Sequence, residues 1–386
     1  MTFSVTPEFD PTRFPSPLRR VGVIGCGVMG GSFALAASRV PSVERVLVTD
    51  SDPAIRREAE KRGFGEVVAT ARRLAPAVDL LVLAIPVPAI PSVARDVLPH
   101  MPRSTVLTDL GSVKAQPVRE VESLLKGLSG EGEGPSYIGG HPMTGSEREG
   151  PAGADPMLFE GVTYVLTPTP HSSTSAFHRL AGLLRDMGAR VLAVDPEAHD
   201  RLVAVVSHLP QVVATSLMKH AAALADTQPA LLMMAGGGFR DATRIAGSNP
   251  DLWMGILRQN RTATLEALSG FMGALDRVRT AIAEDDWEEV SAALVEGREA
   301  RALLQTRAVA EATVDVVTPV EDRPGSLAAV TTALGNAGIN IEDVTVRHPQ
   351  AGGRGALVIA VAGEEAAERA RLALQALGFS SHLERR

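Results

Sequence analysis

Apolar residues in the first half of the chain form short runs that are separated by helical patterns. The runs are rich in Val, Ile and Leu, and the stretches between them carry apolar residues three and four positions apart. Continuous apolar runs are typical of parallel strands covered by helices on both faces, so the pattern predicts βαβ units and a doubly wound α/β sheet. Seven candidate strands begin at Val21, Arg45, Asp79, Thr105, Tyr137, Val162 and Arg190.

The pattern changes near Pro196. From there to Val309, Ala, Leu, Met, Arg and Glu recur at helical spacing, which predicts an all-α domain. Its apolar positions exceed what a single helix pair would cover, so we expect part of this surface to pack against a second subunit in a homodimer. An ordinary helical core within one chain is the alternative.

The C-terminal segment from Thr313 reads as β, α, β, β, α, and the run from Phe379 supplies a final strand. This order predicts a small α+β (βαββαβ) domain. We expect a mobile arm over residues 1–18, a sheet domain over 19–195, a helical substrate and dimerisation domain over 196–309 and the small domain over 313–386. A flexible joint is predicted near residues 308–313.

Composition and charge narrow the possible functions. The 386 residues are 45% hydrophobic and 22% charged, which is enough apolar material for several cores. A formal net charge of −7 argues against nucleic acid and anionic membranes as partners and favours a small-molecule ligand. The single cysteine, Cys26, excludes an internal disulfide framework and a cysteine-based zinc site, and no metal is expected. The N-terminal segment lacks a long apolar run, so it predicts neither a signal peptide nor a membrane anchor, and the expected location is the cytoplasm.

A glycine-rich turn follows the first predicted strand and opens an apolar helix. Gly25, Gly27 and Gly30 have GxGxxG spacing: the first permits a tight turn, the second lets the backbone approach a pyrophosphate, and the third lets helix and strand pack closely. Asp50 ends the next strand, where a carboxylate can accept hydrogen bonds from the adenosine ribose hydroxyls. The pattern predicts a Rossmann-like dinucleotide-binding site.

The cofactor is predicted to be NAD. Asp50 would repel the 2′-phosphate of NADP, and the nearest cations in the sequence, Arg56 and Arg57, lie a turn or more away. Ligands of open α/β sheets bind at the carboxyl ends of strands, which adds further strand ends to the site. The remaining cofactor-binding candidates are Val28, Met29, Ala84, Ile85, Pro86 and Ser112. Cys26, within the turn, is interpreted as a small space-filling residue.

Four polar segments stand out from the apolar background: TDLGSVK from Thr108, GGHPMTGSEREG from Gly139, SHLPQ from Ser207 and FRDATRIAGSNPDLW from Phe239. Together they resemble prephenate dehydrogenases, over residues 21–260. In that family the strand-end serine, the histidine of the HPM-like motif, the SHLP turn and the arginine of the T-R-I segment surround the substrate. The resemblance implies His141 and Ser112 as catalytic residues, and as substrate-binding residues Arg244, Gln211, Ser207, His208, Ser146 and Glu147.

The implied reaction explains these residue types. Prephenate carries a ring carboxylate, a pyruvyl arm and a hydroxyl on the carbon that loses hydride. A neutral imidazole at His141 can accept the hydroxyl proton, Ser112 can bridge that hydroxyl and the imidazole, and Arg244 can grip the carboxylate in a partly dry pocket. Structural alternatives stay open: His141 as a turn cap, Arg244 in a local helix ion pair, and Glu147 in a solvated run of charges.

Gln211 departs from the family pattern, because prephenate-specific relatives often carry a histidine there that contacts the pyruvyl arm. The expected activity is NAD-dependent oxidative decarboxylation of prephenate to 4-hydroxyphenylpyruvate, in tyrosine biosynthesis. A glutamine can hydrogen-bond either a keto acid or an amino acid, so arogenate, which would give L-tyrosine directly, stays open as the alternative substrate.

The segment VEDRPGSLAAVTTALGNAGINIEDVTV, from Val320, resembles ACT domains of amino-acid metabolism. Gly325 exposes backbone N–H groups at a helix start, which suits a carboxylate. The resemblance implies L-tyrosine as a feedback effector, bound by Asp322, Arg323, Pro324, Gly325, Ser326, Leu327, Asn340 and Ile341. A domain that serves dimerisation or packing alone is the alternative.

Two other functions compete with this reading. A β-hydroxyacid dehydrogenase also joins a dinucleotide domain to a helical one, but its usual catalytic lysine lacks a candidate: beyond Lys126 the sequence has only Lys219, inside an apolar helix. A regulator that senses NAD and an amino acid without catalysis would not need Ser112, His141 and Arg244 together.

Overall fold

The computed structural model describes residues 17–128, 134–145, 148–228, 230–309, 313–320, 330, 333–334, 337–339, 341, 343–347 and 355–385. The chain divides into two compact units, one over Pro15–Gly273 and one that includes Ala274–Arg386. Each unit contains a β-sheet. The predicted N-terminal arm lies largely outside the described residues.

The first unit is built on an eight-stranded sheet. Its strands are β1 (Arg20–Ile24), β2 (Arg45–Thr49), β3 (Glu66–Val67), β4 (Leu80–Leu83), β5 (Val106–Asp109), β6 (Ser136–Pro142), β7 (Thr163–Thr167) and β8 (Arg190–Ala193). They lie in the order β3-β2-β1-β4-β5-β6-β7-β8. All seven predicted strands are present. The eighth, β3, was not predicted, because two residues are too short to give an apolar pattern.

One strand pair differs from the predicted parallel order. The pairs from β3 to β6 are parallel, but β6 and β7 are antiparallel, with Gly139 opposite Thr167 and His141 opposite Val165. β8 then runs parallel to β7. Apolar runs mark a strand as buried but do not report its direction. As a result, β7 and β8 end at the edge opposite the carboxyl ends of the other six strands.

Helices cover both faces of this sheet. They are α1 (Val28–Ala37), α2 (Pro53–Lys61), α3 (Ala71–Leu74), α4 (Ile90–Val97), α5 (Ala115–Leu128) and α6 (Thr174–Asp186). Alternate residues of β4 enter two separate apolar cores: Leu80 and Val82 pack in one, and Leu81 and Leu83 in the other. This is the arrangement that continuous apolar runs predict.

Helices also form the rest of the first unit. They are α7 (Pro196–Val203), α8 (Leu209–Ala225), α9 (Ala230–Met233), α10 (Gly237–Thr243), α11 (Pro250–Gln259) and α12 (Arg261–Ala283), the last of which extends past the unit boundary. A π-helical turn, Ala204–His208, joins α7 to α8. Such turns are rare and occur often at functional sites. This turn carries two of the predicted substrate residues, Ser207 and His208.

Apolar side chains remain exposed on these helices, among them Val206, Met233 and Met234, with 64%, 86% and 82% of their surface accessible. Within the part of the chain that the structure describes, one helical segment, Pro196–Ala225, is long and apolar enough to cross a membrane by length and composition. Only 28% of its most apolar window is buried. Exposed apolar surface of this kind marks an interaction site.

The second unit contains α13 (Trp287–Val309), β9 (Thr313–Val320), β10 (Asp343–Arg347), β11 (Gly355–Ala362), α14 (Gly363–Ala376) and β12 (His382–Arg385). Its antiparallel sheet has the order β10-β11-β9-β12. Val330, Ala333 and Leu334, between β9 and β10, are helical. The final strand predicted from Phe379 is present as β12. The predicted joint near residues 308–313 lies mostly outside the described residues.

Candidate active site

The glycine-rich turn between β1 and α1 has no room for a side chain at two of its glycines and has free space at the third. Gly25 has φ +98°, a conformation that favours glycine, and a Cβ there would lie 2.2 Å from the carbonyl oxygen of Ala84. A Cβ on Gly30 would lie 1.9 Å from the carbonyl oxygen of Gly25. Gly27, the N-cap of α1, has nothing within 4 Å of an added Cβ. The open position suits a pyrophosphate, which would meet backbone N–H groups at the helix start.

Asp50, directly after β2, is tied to this turn. Its Oδ2 accepts the N–H of Cys26 at 2.8 Å, and its Oδ1 accepts the N–H of Asp52 at 3.0 Å. Arg56 donates to the carbonyl oxygen of Asp50, so the guanidinium lies closer than its sequence distance suggested, because the chain turns into α2 between them. Cys26 is buried, which raises the pKa of its thiol to about 12 and fits a space-filling role.

The predicted cofactor residues at strand ends share one edge of the sheet. The N–H of Ala84, after β4, donates to the carbonyl oxygen of Ile24 at 2.8 Å, and Ser112 follows β5. Because β1, β4, β5 and β6 are neighbours, these residues and His141 occupy adjacent strand ends. Pro86 is exposed, and the others are half-buried: Val28, Met29, Ala84, Ile85 and Ser112.

A buried ion pair, which the sequence analysis missed, lies beneath this edge. Lys114 Nζ contacts Asp109 Oδ1, and both side chains are fully buried. Asp109 Oδ1 also accepts the N–H of Gly111 at 2.7 Å. Its Oδ2 accepts the hydroxyl of Tyr137 at 2.7 Å and the N–H of Gly140 at 3.4 Å. Burial raises the pKa of Tyr137 well above its usual value, so the phenol stays protonated and donates. The carboxylate thereby links the loop after β5 to two positions of β6, Tyr137 and Gly140.

His141, near the end of β6, is buried, with 8% of its surface exposed. Its Nδ1 is 2.8 Å from Nε2 of His199 on α7, and Nδ1 of His199 is 2.8 Å from Oδ1 of Asp200. The two imidazole rings meet edge to face with their centroids 5.0 Å apart. Burial, reinforced by His199 and Lys114, holds the pKa of His141 well below its usual value. The imidazole is therefore neutral at physiological pH.

Asp200 also fastens α7 to the start of α5. Its Oδ1 accepts the N–H of Lys114 at 2.8 Å, and its Oδ2 accepts the N–H of Ala115 at 2.9 Å. Sequence reasoning missed Asp200 and His199. The available signal was a His–Asp pair on a predicted helix, but the contact with His141, 58 positions earlier, depends on the topology. Among the described residues, no group of three or more His, Cys, Asp or Glu side chains is arranged to hold a metal ion.

His208, at the end of the π-helical turn, is buried rather than open to the cleft. Asn260 Nδ2 lies 3.2 Å from Nδ1 of His208 and also donates to the carbonyl oxygen of Asp200 at 2.7 Å. Trp253 meets the imidazole edge to face, with ring centroids 5.9 Å apart. Burial lowers the pKa of His208 to about 4. The ring is therefore neutral and held in place by its neighbours.

The other predicted substrate residues lie on the helical segment. Ser207 is half-buried in the π-helical turn. Gln211, on α8, is buried; its Nε2 donates to Thr215 Oγ1 at 3.4 Å, and its Oε1 is buried without a hydrogen-bond partner. Arg244 begins a 3₁₀ turn and is exposed in this chain, which differs from the partly dry pocket expected for it. The two remaining predicted residues lie outside the described residues: Ser146 and Glu147.

Most of the predicted effector site cannot be compared with the structure. Ile341 is half-buried against the apolar core of the second unit. The other predicted positions lie outside the described residues: Asp322, Arg323, Pro324, Gly325, Ser326, Leu327 and Asn340.

Three family models match the chain. Residues 33–193 match the nucleotide-binding domain of prephenate dehydrogenase, and residues 195–296 match its dimerization domain. The chain belongs to the prephenate dehydrogenase family. Residues 317–379 match the ACT domain. These matches confirm the predicted family, its oxidoreductase class and the three kinds of domain.

Relatives of known name support this assignment over most of the chain. The prephenate dehydrogenase of Bacillus subtilis is 27% identical over 359 residues, which span 91% of this chain and 94% of that protein. The cyclohexadienyl dehydrogenase of Zymomonas mobilis is 30% identical over 292 residues, which span 75% of this chain and 97% of that protein. The crystal structure of Aquifex aeolicus prephenate dehydrogenase with hydroxyphenyl propionate and NAD+ is 29% identical, has a TM-score of 0.68, and covers 74% of this chain and 98% of its own.

The prephenate dehydrogenase dimerization domain coincides with the exposed apolar helices. The match supports the predicted second subunit. The nucleotide-binding and ACT domains together support small-molecule ligands.

Proposed function

We propose that this member of the prephenate dehydrogenase family catalyses the oxidative decarboxylation of prephenate to 4-hydroxyphenylpyruvate, with NAD as its cofactor, in tyrosine biosynthesis. The observation that carries the proposal is a buried, neutral His141 at the strand end beside that of Ser112, within a nucleotide-binding domain of this family. NAD accepts the hydride when it is bound. The open position at Gly27 and the NAD+ in the Aquifex aeolicus relative support this cofactor.

His141 acts as the base. It takes the proton of the prephenate hydroxyl while the carbon that bears this hydroxyl loses hydride, which leaves a ketone. The ring carboxylate then leaves as CO2, and the electron pair of the broken C–C bond moves through the ring to the ketone oxygen. That oxygen takes back the proton held by the His141 imidazolium, which gives the aromatic ring its hydroxyl group. A neutral imidazole suits this task because its ring nitrogen can accept a proton at physiological pH.

Other side chains orient the substrate. Ser112 bridges the substrate hydroxyl and His141, and Arg244 binds the ring carboxylate through two parallel hydrogen bonds. Ser207 contacts the substrate from the π-helical turn, and the buried, neutral His208 supports that turn from behind. Ser146 and Glu147 complete the proposed substrate site.

Arogenate is the second candidate substrate, and the environment of Gln211 favours it. The buried Oε1 of this glutamine has no hydrogen-bond partner, and an acceptor of this kind is costly to leave unpaired. The ammonium group of arogenate could donate to Oε1, whereas the keto group of prephenate has no hydrogen to donate and could only accept the second hydrogen of Nε2, whose first is directed at Thr215.

A direct assay separates the two substrates. The purified chain should reduce NAD to NADH when it is given prephenate or arogenate, and the ratio of the two kcat/KM values measures the preference. Gln211→His should shift this ratio toward prephenate. A chain that binds NAD but reduces it with neither substrate would refute the proposed function.

Assembly and regulation complete the proposal. The enzyme is cytoplasmic, and its single cysteine suits a reducing compartment. It is also a homodimer, and the exposed apolar helices supply surface for the second subunit. L-tyrosine binds the ACT domain through the predicted loop around Gly325 and inhibits turnover. Titration of tyrosine into the full chain should lower kcat/KM, and Gly325→Asp, which repels a carboxylate, should abolish the effect. Inhibition that persists in this variant would move the effector site elsewhere.

A further inference from the structure

Asp200 determines where the protons lie in the series His141, His199, Asp200. Its carboxylate accepts the backbone N–H groups of Lys114 and Ala115, at 2.8 and 2.9 Å. A carboxylate only accepts, so His199 donates to it through Nδ1, at 2.8 Å. A neutral His199 then carries its lone pair on Nε2, which is 2.8 Å from Nδ1 of His141. It follows that His141 donates through Nδ1 and carries its own lone pair on Nε2.

A lone pair on Nε2 is what the reaction requires of His141. The other neutral tautomer carries hydrogen on Nε2 and would present a donor to the substrate hydroxyl, so it could not take the hydroxyl proton at this atom. The two tautomers of an isolated imidazole are close in energy, and a partner on one nitrogen decides between them. His199 is the partner on Nδ1.

We propose that His199 and Asp200 are positioning residues that hold His141 in its proton-accepting tautomer and stabilise the imidazolium formed during turnover. This inference rests on the proposed function of His141 as the base. Once protonated, the buried ring carries a charge that is costly in a nearly dry environment. The Asp200 carboxylate, two hydrogen bonds away, supplies the compensating negative charge.

The other titratable groups that face His141 do not supply this charge. Lys114 is a cation and opposes protonation of the imidazole, and the charge of Asp109 is already paired with that lysine. His208 is neutral, with a pKa of about 4. Among the groups that the structure describes around the ring, Asp200 is therefore the anion connected to His141 by hydrogen bonds.

Two variants of matched length test the role of His199. In His199→Gln, an amide oxygen can still accept the Nδ1 hydrogen of His141 while the amide nitrogen donates to Asp200. In His199→Met, a side chain of similar length lacks a strong acceptor. We expect kcat to fall about 10²-fold or more in the methionine variant and by about tenfold in the glutamine variant, with NAD affinity and the KM of the substrate nearly unchanged. A residue needed only for packing would lose the same activity in both variants.

Asp200→Asn tests the charge. Loss of the carboxylate removes stabilisation of the imidazolium, so the acid limb of the pH profile of kcat/KM should move to lower pH and kcat should fall. Because Asp200 also holds the start of α5, Tm is measured alongside, and NAD affinity reports whether the nucleotide site survives. An unmoved acid limb in a folded, NAD-binding variant overturns the charge role.

The tautomer itself can be read without turnover. In full-length protein labelled with ¹⁵N-histidine, His141 should show a protonated Nδ1 and an unprotonated Nε2 at neutral pH, and His199→Met should lose this preference. Protonation at Nε2 in the unaltered protein overturns the inference. If the tautomer is as inferred but neither prephenate nor arogenate is oxidised, the proposed function fails instead.

Discussion

Gly27 allows nucleotide binding to be separated from folding. Nothing lies within 4 Å of a Cβ at this position, and its extended backbone, with φ −71° and ψ −164°, suits any residue. Gly27→Ala should therefore change the free energy of unfolding by no more than about 0.5 kcal/mol. The added methyl group enters the space that a pyrophosphate would use. Loss of one charge-assisted N–H bond, worth about 1.5–3 kcal/mol, corresponds to NAD affinity about 10- to 150-fold weaker.

Calorimetric titration of NAD and thermal unfolding, measured on the same samples, provide the assay. Gly182→Ala is the matched control, because its Cβ also meets nothing within 4 Å but lies on α6. Gly30→Ala is the opposite case: a Cβ 1.9 Å from the carbonyl oxygen of Gly25 should destabilise the fold by about 1–3 kcal/mol or more. If Gly27→Ala bound NAD as tightly as the unaltered chain, the pyrophosphate would not pass over Gly27 and the reasoning would be refuted.

Four further outcomes are expected. Lys114→Met leaves Asp109 buried without its cation, so urea titration should give a loss of about 3–5 kcal/mol in unfolding free energy; a loss below about 1 kcal/mol would contradict a charged pair. His141→Asn should keep NAD affinity and lower kcat about 10²-fold or more, and unchanged turnover would assign the base elsewhere. Arg244→Gln should mainly raise the substrate KM, and an unchanged KM would move the carboxylate contact. The pKa of His208 is about 4 in the folded chain, against an ordinary value of 6.5, so the unfolded chain binds a proton first as pH falls. The free energy of unfolding should therefore keep its full value above about pH 6.5 and decline toward pH 4. Equal unfolding free energies at pH 7 and pH 5 would contradict a neutral buried ring.

Sequence periodicity located the main elements because strands that are buried on both sheet faces consist of nearly continuous apolar residues, which can be recognised in the sequence. The strand from Val21 and its glycine turn could be read residue by residue, and Gly25, Gly27 and Gly30 have the steric surroundings expected of them. An apolar run looks the same whichever way the strand points, so the antiparallel pairing of β7 with β6 was not predicted. The distance along the sequence was also a poor guide for Arg56: the first turn of α2 brings its guanidinium to the backbone carbonyl oxygen of Asp50.

The groups missed in the candidate site share a physical reason. In the sequence, His199 and Asp200 look like ordinary polar residues near a helix start. Their roles come from contacts with His141, 58 positions before His199, and with Lys114, 86 positions before Asp200. Lys114 reads as a surface lysine, since a fully buried ammonium is rare and is tolerated here only through its contact with Asp109. Pairings of this kind are decided by tertiary packing rather than by local pattern.

The reversal of chain direction between β6 and β7 has a practical consequence. Because β7 is antiparallel to β6, the loop over residues 168–173 leaves the sheet in the direction opposite to the strand ends that carry Gly25, Ser112 and His141. Pro170 and His171 are exposed at its tip. A fluorophore or an affinity tag attached there would leave the cleft accessible, so this loop offers an attachment point for immobilising the enzyme or for following its assembly in solution.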